Sequence, residues 1–274
     1  MKMEHGLIRM SMAFLKRDLL VAASYRASFM MDFVSIAARV ATFFFIAKMF
    51  GPSSAPFMAE FGGDYFPFVL IGLAFGDYFK AAMDGFSGNI STEQSEGTIE
   101  VLLLSPRPLS AIMIAGSLGD FVVISIRVLA YIIAGSLLFG FTLGNINFAS
   151  FFVSLVLTIL SFSALGILSA AFLLVFKRGD PVNFAVSGLS RLLGGVYFPI
   201  AVLPGWLHGL SYLLPITHAL SALRKSILMG SGITEIYPEL AALLVFASVL
   251  LPASVLCFNL ALKRTKLNGS LLFT

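Results

Sequence analysis

The chain has 274 residues, of which 58% are hydrophobic and only 12% are charged. Soluble domains are about 45–50% apolar and about 25% charged, so this composition excludes a soluble protein and predicts one embedded in lipid. The net charge of +4 is typical of some nucleic-acid-binding proteins, but here the basic residues surround apolar segments. That distribution favours membrane topology and contact with anionic lipid over nucleic-acid binding. The single cysteine, Cys257, excludes an internal disulfide and a cysteine-rich metal site.

The N-terminal segment, at about residues 6–27, mixes basic and apolar side chains such as Arg9, Lys16 and Leu19. A helix of this kind lies in the membrane interface, with its apolar side in lipid and its basic side chains in water. A cleaved signal peptide is disfavoured, because the apolar run that follows is too long and has no clear cleavage site. We therefore predict an interfacial amphipathic helix within residues 1–27.

Six later segments are long and apolar enough to cross a bilayer, since a spanning helix needs about 20 mostly apolar residues. They cover residues 29–50, 65–86, 112–139, 148–176, 184–202 and 240–262. The sequence therefore predicts an all-α membrane protein with one transmembrane domain over residues 1–274. Its six-span core occupies residues 28–262, and a cytoplasmic tail follows at residues 263–274.

Basic residues are concentrated on one side of these spans. If both termini are cytoplasmic, the outer side holds only Lys48, Arg224 and Lys225, and the inner side holds most of the others. Cytoplasmic loops of membrane proteins carry an excess of lysine and arginine, so this orientation is the favoured one. It places the polar segments at residues 93–100 and 177–181 in the cytoplasm.

A polar segment interrupts the apolar sequence between the second and third spans. Gly97 permits a sharp change of chain direction, and Thr98 is suited to cap a following helical turn. Leu102 and Leu104 give that turn an apolar side, and Pro106 ends it. Such a segment offers a surface to a soluble partner, although an ordinary capped interfacial turn has the same pattern. The candidate partner-binding residues are Glu93, Glu96, Gly97, Thr98, Glu100, Leu102, Leu104 and Pro106. A second cytoplasmic contact is expected at Lys177, Arg178 and Asp180.

The region at residues 194–224 is too apolar for a solvated linker and too broken by Pro199, Pro204 and Pro215 for one spanning helix. Short helices that dip into the outer leaflet and return fit this composition, because irregular backbone in a membrane must be packed by protein or face water. Trp206 and Tyr212 are suited to anchor such helices at the headgroups. The anchoring role and a gating role are both open on these residues alone.

Charged residues inside spans are costly and need partners. Eight are expected there: Asp32, Arg39, Asp77, Lys80, Asp84, Asp120, Arg127 and Arg191. Asp77, Lys80 and Asp84 share one helix face by their spacing. Asp32 and Arg39 are two turns apart, as are Asp120 and Arg127, so their partners must lie on other spans or near the headgroups. Structural ion pairs and a polar translocation path are the two interpretations.

Catalysis by this chain is not expected. It has no G-x-x-x-x-G-K-[ST] phosphate loop and no G-x-S-x-G nucleophile motif. The three histidines, His5, His208 and His218, lie on different segments and offer no metal-binding pair at helical spacing. The sequence therefore predicts neither an enzyme nor a metal site, and no cofactor bound by this chain.

Two motifs resemble those of ABC-2 type transporter permeases. Residues 97–106, GTIEVLLLSP, are similar to the family pattern G-T-x-E-x-L-L-x-[ST]-P. The second match begins at residues 195–199 and continues through residues 203–207 to residues 213–220 and Arg224. The size and span layout also agree, so the resemblance covers essentially the whole chain. One departure is Gln94, where the family often carries an arginine.

The resemblance implies an exporter subunit of the plasma (inner) membrane that moves an amphipathic, drug-like or lipid-linked substrate outward. Residues 92–104 correspond to a coupling helix that docks on a separate ATP-binding subunit, which binds the ATP and magnesium. The second motif corresponds to re-entrant helices that form an outer gate, with Tyr197, Phe198, Pro199, Trp206 and Pro215. A homodimer, or a heterodimer with a similar permease, is implied.

Two other classes of function are weighed against this interpretation. An ion-coupled secondary transporter would use Asp77, Asp84 or Asp120 as a proton or sodium site, but the sequence lacks paired broken helices in two halves. A membrane-embedded transferase would need catalytic His or Asp residues clustered at one membrane face, and no such cluster is apparent. The secondary transporter is the main alternative.

Overall fold

The computed structural model of the chain describes residues 12–14, 16, 20, 26–98, 102, 104, 109–176 and 181–267. The regular elements in this part of the chain are all helical. Eight α-helices follow one another: α1 (Arg26–Phe50), α2 (Tyr65–Ser95), α3 (Leu109–Phe139), α4 (Phe148–Phe176), α5 (Pro181–Leu193), α6 (Gly205–Tyr212), α7 (Pro215–Arg224) and α8 (Tyr237–Leu267). Short 3₁₀ segments lie at Gly51–Phe61 and Ile200–Val202, and a π-helical turn at Lys225–Met229 follows α7.

Five of the described helices, α1, α2, α3, α4 and α8, are long and apolar enough to cross a membrane. The predicted fourth span coincides with α4. Helices α1, α3 and α8 begin a few residues before their predicted spans, and α2 and α8 end after theirs. The largest extension is in α2, which continues to Ser95 because its polar last turns remain helical. The prediction of an all-α membrane protein is confirmed.

The predicted fifth span, residues 184–202, is not one continuous helix. Helix α5 ends at Leu193, and the chain then turns through Gly195 at φ +77°, a left-handed conformation that favours glycine. At about 1.5 Å per residue, α5 is about 20 Å long, which is short of a hydrocarbon core of about 30 Å. The prediction of a single helix over these residues is therefore wrong, because the apolar composition continues past the point where the helix stops.

Helix α2 is the centre of the fold. It packs against α3 and α4 along most of its length and also contacts α1, α5 and α7. In its apolar window 72% is buried, against 11% for α1. Its phenylalanines form much of the core: the rings of Phe79 and Phe162 on α4 meet edge to face at 4.9 Å between centroids. The bundle is thus organised around one enclosed helix.

Small residues let the helices of this bundle approach closely. A side-chain Cβ at Gly166 of α4 would lie 2.2 Å from the carbonyl oxygen of Ala82 on α2. Small residues at such contacts are typical of membrane helix pairs, where backbone approach and van der Waals packing replace the hydrophobic effect. Helix α8 closes the bundle by packing against α4.

The predicted interfacial helix falls mostly outside the described residues. Residues 12–14, Lys16 and Leu20 are helical, and the side chains of Met12 and Leu20 are exposed. The predicted location of this segment in the membrane interface stays a prediction.

Candidate functional sites at the two ends of helix α2

The first site is the turn that ends α2, which we call the Gly97 turn (residues 93–98). Gly97 has φ +71° and its N–H donates to the carbonyl of Gln94 at 3.3 Å. The N–H of Thr98 donates to the carbonyl of Glu93 at 3.0 Å. This pair of hydrogen bonds is a Schellman motif, which satisfies the last carbonyls of a helix with a left-handed residue after its cap. The Thr98 hydroxyl also hydrogen-bonds the Glu93 carboxylate.

A new helical turn begins directly after the Gly97 turn. The N–H of Leu102 donates to the carbonyl of Thr98 at 3.1 Å, and both Leu102 and Leu104 are helical. Leu102 packs against the apolar cluster formed by α2, α3, α4 and α8. Leu104 is 87% exposed, and Glu96 and Gly97 are exposed as well. The chain therefore presents a short surface with polar and apolar groups at this end of α2.

The remaining predicted cytoplasmic contacts lie outside the described residues. These are Glu100 and Pro106 after the Gly97 turn, and Lys177, Arg178 and Asp180 before α5. Their predicted roles stay predictions.

The second site surrounds Arg224, near the other end of α2, and we call it the Arg224 junction (Arg224, Phe68, Gly195 and Val196). Arg224 is 2% exposed and donates to three backbone carbonyls: Phe68 at 3.0 Å, Gly195 at 2.8 Å and Val196 at 3.2 Å. Its guanidinium also lies over the Phe68 ring, 3.5 Å from the centroid. One side chain thus joins α7, α2 and the turn after α5.

The cation in this junction is balanced by carbonyl dipoles. Among the described residues, none of the carboxylates forms an ion pair with Arg224. Burial lowers the pKa of the Arg224 guanidinium to about 9, so the side chain stays protonated at neutral pH. Breaking these hydrogen bonds would leave a buried charge without partners, which is strongly destabilising.

Two glycines make room for the junction. A Cβ at Gly72 of α2 would lie 2.1 Å from the carbonyl oxygen of Val196 and 2.4 Å from Nη2 of Arg224. Gly195 has the left-handed conformation that aims its carbonyl at Arg224. A further link is the Tyr65 hydroxyl, which donates to the carbonyl of Tyr197 at 3.0 Å.

The predicted outer-gate residues lie around this junction, with different degrees of burial. The rings of Tyr197 and Phe43 on α1 stack at 5.5 Å, and Phe198 is half-buried. Pro199 is buried before the short 3₁₀ segment, and Pro215 is buried at the first turn of α7. Trp206 on α6 is 76% exposed. The short helices expected here are present as α6 and α7, and their re-entry into the membrane stays a prediction.

The charged residues of the predicted spans form pairs between helices. Arg127 on α3 bonds Asp32 on α1 at 2.7 Å, so the partner lies on another span as the spacing required. Arg39 on α1 lies 3.5 Å from Asp77 on α2, which also accepts a hydrogen bond from Tyr131 at 2.9 Å.

The other predicted charges have different surroundings. Lys80 and Asp84 pair along α2 at 3.6 Å, and Asp84 accepts from Asn183 of α5 at 2.8 Å. Asp120 on α3 lies against Gly85 of α2, where a Cβ would come within 2.8 Å of its carboxylate, and Arg191 is exposed on α5.

Sequence reasoning missed several residues of these sites. From the sequence, Lys225 is expected as an outer basic residue and Arg224 as an outer basic residue at the end of the second motif. In the structure Arg224 is buried, and Lys225 bonds Glu239 of α8 at 2.7 Å. Tyr131 and Asn183, which bond the intramembrane carboxylates, were not singled out. A signal existed for Arg224 alone: an arginine in an apolar, proline-broken region needs many acceptors, and free backbone carbonyls occur where helices break.

A comparison with known families decides the class of the protein. The family model described as ABC-2 type transporter matches residues 11–228, which is more than half of the chain and includes both the Gly97 turn and the Arg224 junction. The chain belongs to the ABC-2 type transporter family.

Curated relatives agree with this membership. The chain is 30% identical over 176 residues to the inner membrane transport permease YadH of Escherichia coli strain K12, covering 64% of this chain and 66% of the relative. The YadH proteins of Escherichia coli O157:H7 and Shigella flexneri match with the same figures. The chain therefore spans slightly less than two thirds of the length of the relatives it matches. Membership in the ABC-2 type transporter family supports a multi-pass membrane permease subunit of an ABC transporter.

Proposed function

We propose that the chain is the membrane-spanning permease subunit of an ATP-driven exporter of the inner membrane, with both termini in the cytoplasm. The observation that carries this proposal is the exposed Gly97 turn at the end of the central helix. Helix α2 contacts α1, α3, α4, α5 and α7, so a force applied at its end reaches most of the bundle. A partner that binds at residues 92–104 would therefore act on the whole domain.

The proposed mechanism is a rigid-body movement. A separate subunit binds ATP and magnesium, and its closure pushes on residues 92–104 and on the turn at residues 177–181. The helices then rock between inward-facing and outward-facing arrangements, as packed elements do when an interface shifts. A second copy of this chain, or a similar permease, completes the pathway, and α6 with α7 gates it on the outer side.

The proposed substrate is amphipathic, either drug-like or lipid-linked. A chain with 28 phenylalanines offers many apolar and stacking surfaces to such a molecule. The intramembrane charges support the proposal as structural elements, because Asp32 and Asp77 are each held by an arginine. Of the carboxylates named for an ion-coupled secondary transporter, Asp77 already has an arginine and a tyrosine hydroxyl as partners, which disfavours it as the ion-binding site.

The test is to purify the tagged chain from native membranes in mild detergent and to measure ATP hydrolysis by the purified material. We compare the wild type with Leu104→Asp, which places a charge on the exposed apolar position, and with the matched control Leu104→Met. The proposal expects an ATP-binding-cassette subunit and vanadate-sensitive hydrolysis with the wild type and Leu104→Met. Both should be lost with Leu104→Asp, while the chain itself remains folded by size-exclusion chromatography.

Recovery of the chain without an ATP-binding subunit, together with gradient-driven transport in vesicles, would overturn the proposal in favour of a secondary transporter. Recovery of the same subunit in equal amount with Leu104→Asp would leave the exporter in place but move the docking surface away from residues 92–104.

A further inference from the structure

We infer that Arg224 is the positioning residue that makes α7, and with it the short helix α6 that packs against α7, move together with α2. This inference rests on the proposed function, in which α2 is displaced from its Gly97 turn. Arg224 then transmits that displacement across the bundle to the predicted outer side. Without it, α2 would move while the outer helices remained in place.

The first argument is the number of segments that one side chain holds. Arg224 ends α7, its Nε donates to Phe68 on α2, and its two terminal nitrogens donate to Gly195 and Val196 in the turn after α5. The planar fork of a guanidinium reaches three acceptors at fixed angles, which the single ammonium of lysine does not. An arginine is therefore required for this connection, and not simply a positive charge.

The second argument is that the turn after α5 packs too closely on α2 for the two to move past each other. Val196 is 2% exposed, its carbonyl would lie 2.1 Å from a Cβ at Gly72, and its side chain would lie 3.3 Å from a Cβ at Gly76. Gly72 and Gly76 are one turn apart on the same face of α2. The turn after α5 is thus seated directly on the backbone of α2. Close-packed surfaces of this kind move as one body or rearrange in discrete steps.

The third argument is the cost of separating the parts. Arg224 is buried and charged, and its described partners are backbone carbonyls and the faces of Phe68 and Phe61. Moving α2 away from α7 would take the Phe68 carbonyl and the Phe68 ring away from a buried guanidinium, which is strongly unfavourable in an apolar surrounding. Displacing α2, α7 and the turn after α5 together keeps every one of these hydrogen bonds.

The neighbouring residue supplies a matched control. Lys225 is also a cation of the same helix end, but it bonds Glu239 on α8 at 2.7 Å and makes no described contact with α2. Ser221 donates to the same carboxylate oxygen at 3.0 Å. Removing Lys225 therefore weakens the attachment of α7 to α8 and leaves its attachment to α2 intact.

The experiment measures how the outer helices respond to ATP in the purified complex, reconstituted in lipid nanodiscs. The exposed Cys257 is first replaced by serine, and Trp206→Cys on α6 then provides one reactive thiol in this chain. The rate of its alkylation by a hydrophilic maleimide is measured without nucleotide and after trapping with ATP and vanadate. We expect trapping to change the rate by roughly fivefold or more, the lower range of ordinary coupling between sites.

The variants separate transmission from folding. Arg224→Lys and Arg224→Met should reduce the change on trapping to less than about twofold, while vanadate-sensitive ATP hydrolysis continues. Lys225→Met should respond like the unsubstituted complex. A loss of stability alone would alter the rates with and without nucleotide equally, so their ratio reports the transmission. If the Arg224→Lys and Arg224→Met complexes hydrolyse ATP and keep the same ratio of alkylation rates as the unsubstituted complex, the inference is overturned and the proposed function stays intact.

A second measurement needs no change at Arg224, so it can overturn the inference even where those variants fail to fold. Nitroxide labels at Asp64→Cys, the exposed residue before α2, and Trp206→Cys on α6 report one intramolecular distance by double electron–electron resonance. Labelled chains are diluted with unlabelled ones to remove distances between copies. The inference expects the same distance with and without trapping, and a shift would overturn it. A complex that hydrolyses no ATP would overturn the proposed function and this inference with it.

Discussion

The two ends of helix α2 are built in opposite ways. At one end, the Gly97 turn is closed by local hydrogen bonds between residues at most five positions apart. Glu96 and Gly97 within the turn are exposed, as is Leu104 after it. At the other end, the Arg224 junction is closed by bonds that span 28 to 156 residues of sequence, and its central side chain is buried.

The Gly97 turn therefore resembles a binding surface, and the Arg224 junction resembles a structural connection between segments. A turn that satisfies its own backbone groups keeps its shape without neighbours, so it can be offered to a partner and released again. A junction that draws its acceptors from distant segments holds its shape only while those segments stay together. Helix α2 is about 46 Å long at about 1.5 Å per residue, so it connects the two across the membrane.

The largest expected effect comes from crowding the junction end of α2. Gly72→Ala places a Cβ 2.1 Å from the carbonyl of Val196 and should lower the free energy of unfolding by about 1–3 kcal/mol. Gly88→Ala is the matched control on the same helix, because no atom lies within 4 Å of its added Cβ. It should be neutral or stabilise by up to about 1 kcal/mol through helix propensity. Thermal unfolding in detergent compares the two, and equal midpoints would contradict the close contact at Gly72.

A smaller effect is expected from the ion pairs midway along the bundle. Replacing Asp32 by Asn and Arg127 by Gln, singly and together, should give a coupling energy of about 1.5 kcal/mol for their 2.7 Å contact. The pair Lys80 and Asp84 is longer, at 3.6 Å, and more exposed, so the same cycle there should give about 0.3–0.5 kcal/mol. A double-mutant cycle on unfolding in detergent measures both. Additive losses of unfolding free energy at Asp32 and Arg127 would show that the pair does not form. Transport by folded variants is a separate test of whether the pair lines a pathway.

A local effect is expected at the Gly97 turn. Gly97→Ala forces an L-residue into φ +71° at a cost of about 1 kcal/mol, whereas Gly97→Asn is better tolerated there. Because the described backbone hydrogen bonds of the turn join residues at most five positions apart, the cost should appear as local opening, with roughly fivefold faster hydrogen exchange across residues 93–98. The global unfolding midpoint should stay nearly constant. Equal exchange in the alanine and asparagine variants would contradict the left-handed conformation of residue 97.

Features that depend on nearby sequence were predictable. Continuous apolar composition predicts the span at residues 148–176, which is α4. The glycine at residue 97 predicts the change of chain direction that the Gly97 turn makes. In both cases the deciding hydrogen bonds join residues a few positions apart. Composition and local backbone preference are therefore enough to locate them.

Features that depend on distant acceptors were not predictable. Arg127 needed an acidic partner on another span, but its spacing did not select Asp32, 95 residues away, over other carboxylates. Apolar composition continues through Gly194 and Gly195, so it extended the fifth span beyond the end of α5. The sequence shows Arg224 only as a basic residue at the end of the second motif. Its structural role arises from three carbonyls that the fold brings together.

The smallest effect on stability is expected from Trp206, which sits on the exposed side of α6. Trp206→Leu should change the unfolding free energy by less than about 0.5 kcal/mol in detergent, because the indole is 76% exposed. Tyr197→Leu is the comparison within the same region, and loss of its stacking on Phe43 should cost about 1 kcal/mol. Equal losses would contradict the different packing of the two rings.

The position of that tryptophan has a direct optical test. Trp206 is the only tryptophan of the chain, so its fluorescence reports α6 alone when this chain is reconstituted by itself in lipid. An indole anchored at the headgroups should be quenched more by lipids brominated near the carbonyl end of the acyl chain than by lipids brominated near its methyl end. Stronger quenching from the deep position would instead put α6 well inside the bilayer. The short helices would then lie in the interior of the membrane rather than at its interface.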